Sequence, residues 1–315
     1  MKRRALLEAL GTLAVAGPSA TRAQRLPRIG FLVAGDPEPT WTLFRKAMAA
    51  LGYEDGRNIV FEFRAADAAS GRLDTDAREL VGLPVDVIVA VLSPAVAAAQ
   101  KATSTLPIVF IGGAPLTGAV GNLARPEGNL TGAFSPSSII AGKGLQLFHE
   151  MKPAARSIGL LLNEIDPFHV PLRRDTEAAA RTEQIEPVVV LVKSKDDLPA
   201  AFESLVRRGV DGALIQPTLG LEMCAALALK VRLPAFSFRR EFAEVGGLMS
   251  YGADQAEITR AVAGQVVRIL KGARPGDLPV QQASRFELIV NQKTARALGL
   301  TIPPLFLARA DEVIE

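Results

Sequence analysis

The middle of this chain is written twice. RIGFLV at residues 28–33 has a counterpart in SIGLLL at 157–162, VDVIVAVLSP at 85–94 in VDGALIQPT at 210–218, and LPIVFI at 106–111 in LPAFSF at 233–238. The intervals agree as well. Gly30 precedes Asp86 by 56 residues and Gly159 precedes Asp211 by 52, while Asp86 precedes Pro107 by 21 and Asp211 precedes Pro234 by 23. Each copy alternates these runs with helical segments, among them FRKAMAALG, DTDARELVGL and PAVAAAQKAT. AAFESLVRRG places Ala201, Phe202, Leu205 and Val206 on one stripe and stops at Gly209, a helix with its terminator. Runs such as VDVIVAVL carry no polar alternation, which suits a parallel sheet covered on both faces. The expectation is an α/β chain of two doubly wound lobes whose strand-end loops share one cleft. At 315 residues and 49% hydrophobic content the chain has material for two such cores.

Charge and motif content exclude several functions. Lys and Arg number 36 against 33 Asp and Glu, interspersed, for a net charge of +3; no basic stripe with interleaved aromatics marks a nucleic-acid binder. Of the two histidines, His149 ends an amphipathic helix, where a cation complements the dipole, and His169 follows a strand and is open to a cleft role. No G-x-S-x-G, H-E-x-x-H, paired cysteines or carboxylate cluster at ligand spacing occurs, so the chain reads as neither an enzyme nor a metalloprotein, with no cofactor. The glycine-rich stretch IGGAPLTGAVGNLARPEGNLTG at 111–132 matches no phosphate-binding fingerprint and holds no lysine. Its start, Gly112 to Ala114, reads as pocket floor and its end, Asn129 to Gly132, as a strand. Cys224, the single cysteine, stands in LEMCAALALK and reads as a buried small hydrophobe.

Lys2, Arg3 and Arg4, then ALLEALGTLAVAG, then PSATRAQ have the three parts of a secretory leader. The apolar centre is shorter than the roughly 20 residues of a spanning helix. Cleavage after Ala23 is expected, leaving Gln24 first. No cysteine follows the leader, so the expected product is periplasmic, soluble and not a lipoprotein.

Several phrases in order resemble one family: LGYEDGRNIVFEFR, ATSTLPIVF, LARPEGNLTG, GGLMSYG, LPVQQASRFELIVNQKTARALGLTIPP and the terminal LARADEVIE. Together they resemble the substrate-binding proteins of bacterial ABC importers, in the group that includes aromatic amino-acid binders. The resemblance implies a type I periplasmic-binding-protein fold. Two Rossmann-like lobes joined by a three-stranded hinge would close on a small ligand, an amino acid or related carboxylate, and deliver it as a monomer to a permease with its ATPase. A sensor domain of the same fold is the alternative. Crossings are implied near Gly132–Pro136, Ser250–Gly252 and Gln281–Phe286. They divide the chain into residues 24–134 plus 252–283 as lobe one, and 135–251 plus 284–315 as lobe two.

Strand ends supply the pocket candidates. In lobe one these are Asp36, Ser93, Pro94, Gly113 and Ala114; in lobe two, Asn163, Asp166, Thr218, Phe238 and, at a crossing, Tyr251. Ser93 precedes Pro94 and a helix, so it serves either as a plain N-cap or as a holder of a ligand carboxylate. Asp166 either pairs with a ligand ammonium or starts a D-P turn. Tyr251 offers a ring face and a hydroxyl. Arg239 is read either as a holder of a ligand acid or as an outward charge, and Trp41 either as cleft mouth or as core. Where family members carry an acidic residue before proline, this chain has Ala114, and NEIDP adds Glu164 and Asp166. The expected negative charge has moved from lobe one to lobe two.

Overall fold

The computed structural model describes residues 25–112, 120–126 and 128–315; the leader, Gly113 and Ala114 lie outside the described residues. The first copy runs β1 (Arg28–Ala34), α1 (Thr40–Ala50), β2 (Val60–Ala66), α2 (Leu73–Gly82), β3 (Val87–Val91), α3 (Ser93–Ala102), β4 (Ile108–Ile111) and β5 (Leu130–Phe134). The second runs α4 (Ser137–Met151), β6 (Ser157–Asn163), α5 (His169–Thr182), β7 (Glu186–Val192), α6 (Leu198–Arg207), β8 (Ala213–Ile215), α7 (Leu221–Lys230), β9 (Ala235–Ser237), α8 (Arg240–Glu244) and β10 (Met249–Ala253). There follow α9 (Gln255–Leu270), β11 (Gln281–Gln282), β12 (Phe286–Asn291), α10 (Gln292–Leu298), α11 (Pro304–Leu307) and β13 (Glu312–Ile314). The strands form two sheets, ordered β11-β5-β4-β3-β1-β2 and β13-β12-β10-β9-β8-β6-β7. Both are parallel except where β10 meets β12.

The unbroken apolar runs are explained by two-sided burial. In β3, Val87, Val89 and Val91 enter the core under α1 and α9, while Ile88 and Ala90 enter the core under α2 and α3. In the second sheet Leu160 and Leu214 face one core and Leu161 and Ile215 the other. Period-two geometry thus divides each strand between two cores.

The repeated V-D phrase has a structural cause. Asp86 accepts from the backbone N–H of Arg28 at 2.7 Å, and Asp211 accepts from those of Arg156 at 2.7 Å and Ser157 at 3.1 Å. Each aspartate satisfies amide donors at the start of its lobe's first strand and sets that strand's register. The repeated glycine, the third residue of each strand, leaves room for a closely packed neighbour. A Cβ on Gly30 would stand 3.3 Å from Ile88, and one on Gly159 only 2.6 Å from a methyl of buried Leu205.

The chain passes between the sheets from β5 to α4, from β10 to α9 and from β11 to β12, and these passages form the three-stranded hinge. Gln281 and Gln282 pair with Ala133 and Phe134, the Ala283 N–H donates to the Phe134 carbonyl at 2.8 Å, and the Asp254 N–H donates to the Arg285 carbonyl at 3.0 Å. β10 continues to Ala253 in the second sheet, so Gly252 and Ala253 pair with β12 beyond the crossing read from the sequence. His149 lies in the last turn of α4, with Nδ1 3.2 Å from Glu183. Cys224 is fully buried, and burial pushes its thiol up to about 12.

Replacing Gly159 by Ala crowds the buried Leu205 side chain, and overpacking of this kind costs about 1–3 kcal/mol. Urea titrations should show Gly159→Ala less stable than wild type by that amount, with Gly30→Ala affected less.

Candidate ligand-binding cleft

The carboxyl ends of both sheets converge on two adjoining chambers, the position expected for a ligand of doubly wound sheets. The inner chamber, about 80 Å³, is walled by Leu92, Ile111, Ile140, Phe168, Phe238 and Ile258. Its polar groups are Ser93 and Ser135 from one side, Asp166 and Thr218 from the other, and Arg239 and Gln255 between. The outer chamber, about 300 Å³, shares Leu92, Pro217, Thr218 and Arg239 with it and opens past Asp36, Glu38 and Asp67 on one lobe and Lys195 and Glu222 on the other.

Asp166 is the most constrained polar group. It is 2% exposed. Its Oδ1 accepts from the Phe168 N–H at 2.9 Å, and its Oδ2 accepts from Gln216 Nε2 at 2.8 Å and from the Thr218 hydroxyl at 3.0 Å. Gln216 is fully buried and is itself held, its Oε1 accepting from the Asn163 N–H at 3.0 Å. Asn163 turns the loop by accepting from the Ile165 N–H at 3.1 Å, and its Nδ2 lies 3.3 Å from the Thr218 hydroxyl. Burial raises the Asp166 carboxyl above its ordinary value, opposed by the three donors and by nearby His169. No lysine or arginine pairs with it among the described residues. It is therefore a buried carboxyl group with three donors and no lysine or arginine partner, lining a cavity.

The opposite wall is built differently. Leu92 takes φ 68°, ψ 157°, an uncommon conformation for a residue with a Cβ. This turns the chain from β3 into α3 with Leu92, not Ser93, at the cap position. The cap reading of Ser93 is corrected accordingly. Ser93 is the first helical residue, 4% exposed, and its hydroxyl has no partner among the described residues. The Ser135 hydroxyl, just beyond β5, is buried and likewise unpartnered. Ser93 and Ser135, with unengaged hydroxyls, thus line the same chamber as Asp166.

Of the residues expected at the pocket, Ser93, Asp166, Thr218 and Phe238 line the inner chamber and Asp36 lines the outer one, with its carboxylate accepting from the Glu38 N–H at 2.9 Å. Asn163 lies behind Asp166 as its support. Pro94 is buried in α3 away from both chambers. Tyr251 is directed elsewhere: it shares a strand face with buried Met249 and packs against that core, its ring stacked on Phe286 at 5.9 Å. Trp41 packs among Phe31, Phe61 and Phe63 at 4.9 to 5.1 Å between ring centroids. His169 turns its Nδ1 back to the Asp166 carbonyl at 2.9 Å. Arg239 points inward, donating to both oxygens of Glu241 at 3.0 Å, to Gln255 at 3.0 Å and to Thr40 at 3.2 Å, while Arg240 faces Glu244 and Glu312 at the surface. Ser135, Gln216 and Gln255 had no local signal, being ordinary residues that become site residues only when strands distant in sequence are brought together.

The sequence profile of the family described as "ABC transporter substrate binding protein" matches residues 40–314. The chain belongs to the ABC transporter substrate-binding protein family. Its curated relatives include the "Tyrosine-binding protein" of Clostridioides difficile (strain R20291), 26% identical over 272 residues that cover 82% of this chain and 75% of the relative. Among solved structures, a conserved domain protein from Vibrio cholerae aligns with 28% identity and a TM-score of 0.84, and an ABC domain from Streptococcus pneumonia in complex with L-Trp with 25% and 0.83. Each alignment covers 92% of this chain and all of the other. The fold of this substrate-binding protein is therefore that of the type I periplasmic binding proteins. No helix among the described residues is long and apolar enough to cross a membrane, and no cluster of three or more His, Cys, Asp or Glu among them is placed to hold a metal.

The raised Asp166 carboxyl fixes the sign of a pH effect on the ligand-free substrate-binding protein. The unfolded chain loses this proton near the ordinary value of about 3.9, whereas the folded chain keeps it to higher pH. The folded state then binds more protons, and the contribution of this group to stability falls as pH rises through that window. In urea titrations of wild type and Asp166→Asn, the stability of wild type relative to the variant should be lower at pH 7 than at pH 4.

Proposed function

We propose that this substrate-binding protein captures a free amino acid with an apolar, aromatic side chain, or a closely related amine-bearing carboxylate, in the periplasm and delivers it to an ABC importer permease. The observation that carries the reading is the buried Asp166 carboxylate, donor-rich but without a cation, in an apolar chamber opposite the unengaged hydroxyls of Ser93 and Ser135. A ligand ammonium pairs with the Asp166 carboxylate, and a ligand carboxylate takes the two hydroxyls beside the N-terminus of α3. Ser93 and Asp166 come from different lobes, with Ser135 at the crossing between them, so one zwitterion contacts both lobes and favours their closure. Phe168 and Phe238 receive its apolar body. The names of the relatives, a tyrosine binder and an L-Trp complex, agree with this ligand class. Asp36, on the outer chamber, is assigned to the approach path.

Thermal-shift and calorimetric titrations test the assignment. Tyrosine, tryptophan or phenylalanine should raise the melting temperature, since a ligand of the folded state stabilises it. The matching arylpropionates, which lack the amine, should fail. Asp166→Asn should weaken binding about tenfold or more, the scale of a hydrogen bond to a charged group at about 1.5–3 kcal/mol. Binding of a neutral sugar or nucleoside in place of every amino acid would overturn the reading. For the export reading, the mature protein recovered from the periplasm should begin at Gln24 by intact mass.

A further inference from the structure

At the rim of the outer chamber Lys195 Nζ meets Asp67 Oδ2 at 3.0 Å. The two residues come from different lobes and from equivalent places in them. Asp67 caps the short 3-10 turn Ala68–Ser70 that follows β2, and Lys195 opens the short 3-10 turn Lys195–Asp197 that follows β7. β2 and β7 are the edge strands of their sheets, each four strands away from the hinge strands β5 and β10. At about 4.8 Å per strand that is roughly 20 Å from the hinge. The pair therefore sits where opening moves the lobes furthest. A hinge rotation of about 10° displaces this rim by roughly 3–4 Å, enough to separate the pair.

Both partners are held in place for the contact. Asp67 Oδ1 accepts from the Ala69 N–H at 3.0 Å, leaving Oδ2 for the lysine. The lysine stem crosses Gly220, where a Cβ would lie 3.1 Å from Lys195 Cε. Nearer the hinge Arg239, from the second lobe, donates to Thr40 and Gln255 on helices that pack on the first. Lys195–Asp67 thus joins the two lobes further from the hinge than the Arg239 contacts do.

We infer that the Asp67–Lys195 ion pair is a closure latch, holding a fraction of the ligand-free chain closed and so setting how fast the cleft opens. With side chains 37% and 54% exposed, the pair is screened by salt, so the latch weakens as ionic strength rises.

The experiment needs no ligand, so its failure and a failure of the ligand assignment are separate outcomes. Spin labels on cysteines at exposed Arg78 in α2 and Glu203 in α6 report the distance between lobes by pulsed electron resonance; Cys224 is buried and stays unlabelled. Wild type at low salt should show a closed distance, with the open population growing at 0.5 M NaCl. Asp67→Lys should raise the open-to-closed ratio by at least about 2- to 5-fold, and Lys195→Asp likewise. The double exchange Asp67→Lys with Lys195→Asp should return it toward wild type, which separates the latch from a general loss of structure. Three results would each overturn the inference: a wild-type chain found only open, a distribution indifferent to the single exchanges, or a double exchange no more closed than the singles.

Discussion

The central strands of both sheets are sealed on both faces, and the placement of the protein's polar groups follows from that. A strand such as β3 has no solvent side on which to place a functional group, because its alternate residues enter separate cores. A polar side chain within it would be buried without partners, at a cost of kilocalories. Chemistry is thereby confined to strand ends and the helix starts beside them. Duplication then matters, because two such sheets facing one another place two sets of strand ends in one cleft. The chamber is asymmetric, with the hydroxyl-bearing Ser93 on one lobe and the Asp166 carboxyl on the other.

Asp166 shows how far a local reading reaches. Its position after a strand marks it as a pocket candidate, and the proline beside it marks it as a turn. In the structure it is both: the turn delivers the Phe168 N–H to Oδ1 while the other oxygen is held from β8. Gln216 carries no signal in its own neighbourhood, yet it fixes the carboxylate because β6 and β8 are adjacent in the sheet. Gln255 and the Lys195–Asp67 pair escape notice for the same reason, since each acquires its role through a contact across the lobes, and Ser135 does so only by its place in the chamber wall. Tyr251 is the opposite case. Its chemistry suits a pocket, but strand alternation places it with Met249 on the core side of β10. Ser93 was legible as a strand-end residue, while its place inside the helix depended on the backbone of Leu92, which residue types alone do not disclose.

The hinge glycines invite an explanation by flexibility, and their surroundings point to a different one. A Cβ on Gly132 would lie 2.3 Å from the Phe110 carbonyl oxygen, and one on Gly252 would lie 1.8 Å from that of Phe238. These glycines are needed for close approach of backbones before any question of motion arises. The consequence at Gly252 reaches the site. β10 is pressed against the backbone of Phe238, whose ring walls the inner chamber, and the next residue, Ala253, lines that chamber as it crosses to the other lobe. Hinge and pocket therefore share atoms. A rotation that alters β10 at the crossing moves Phe238 or Ala253, so hinge geometry and the wall of the chamber are tied together without a relay through the body of either lobe.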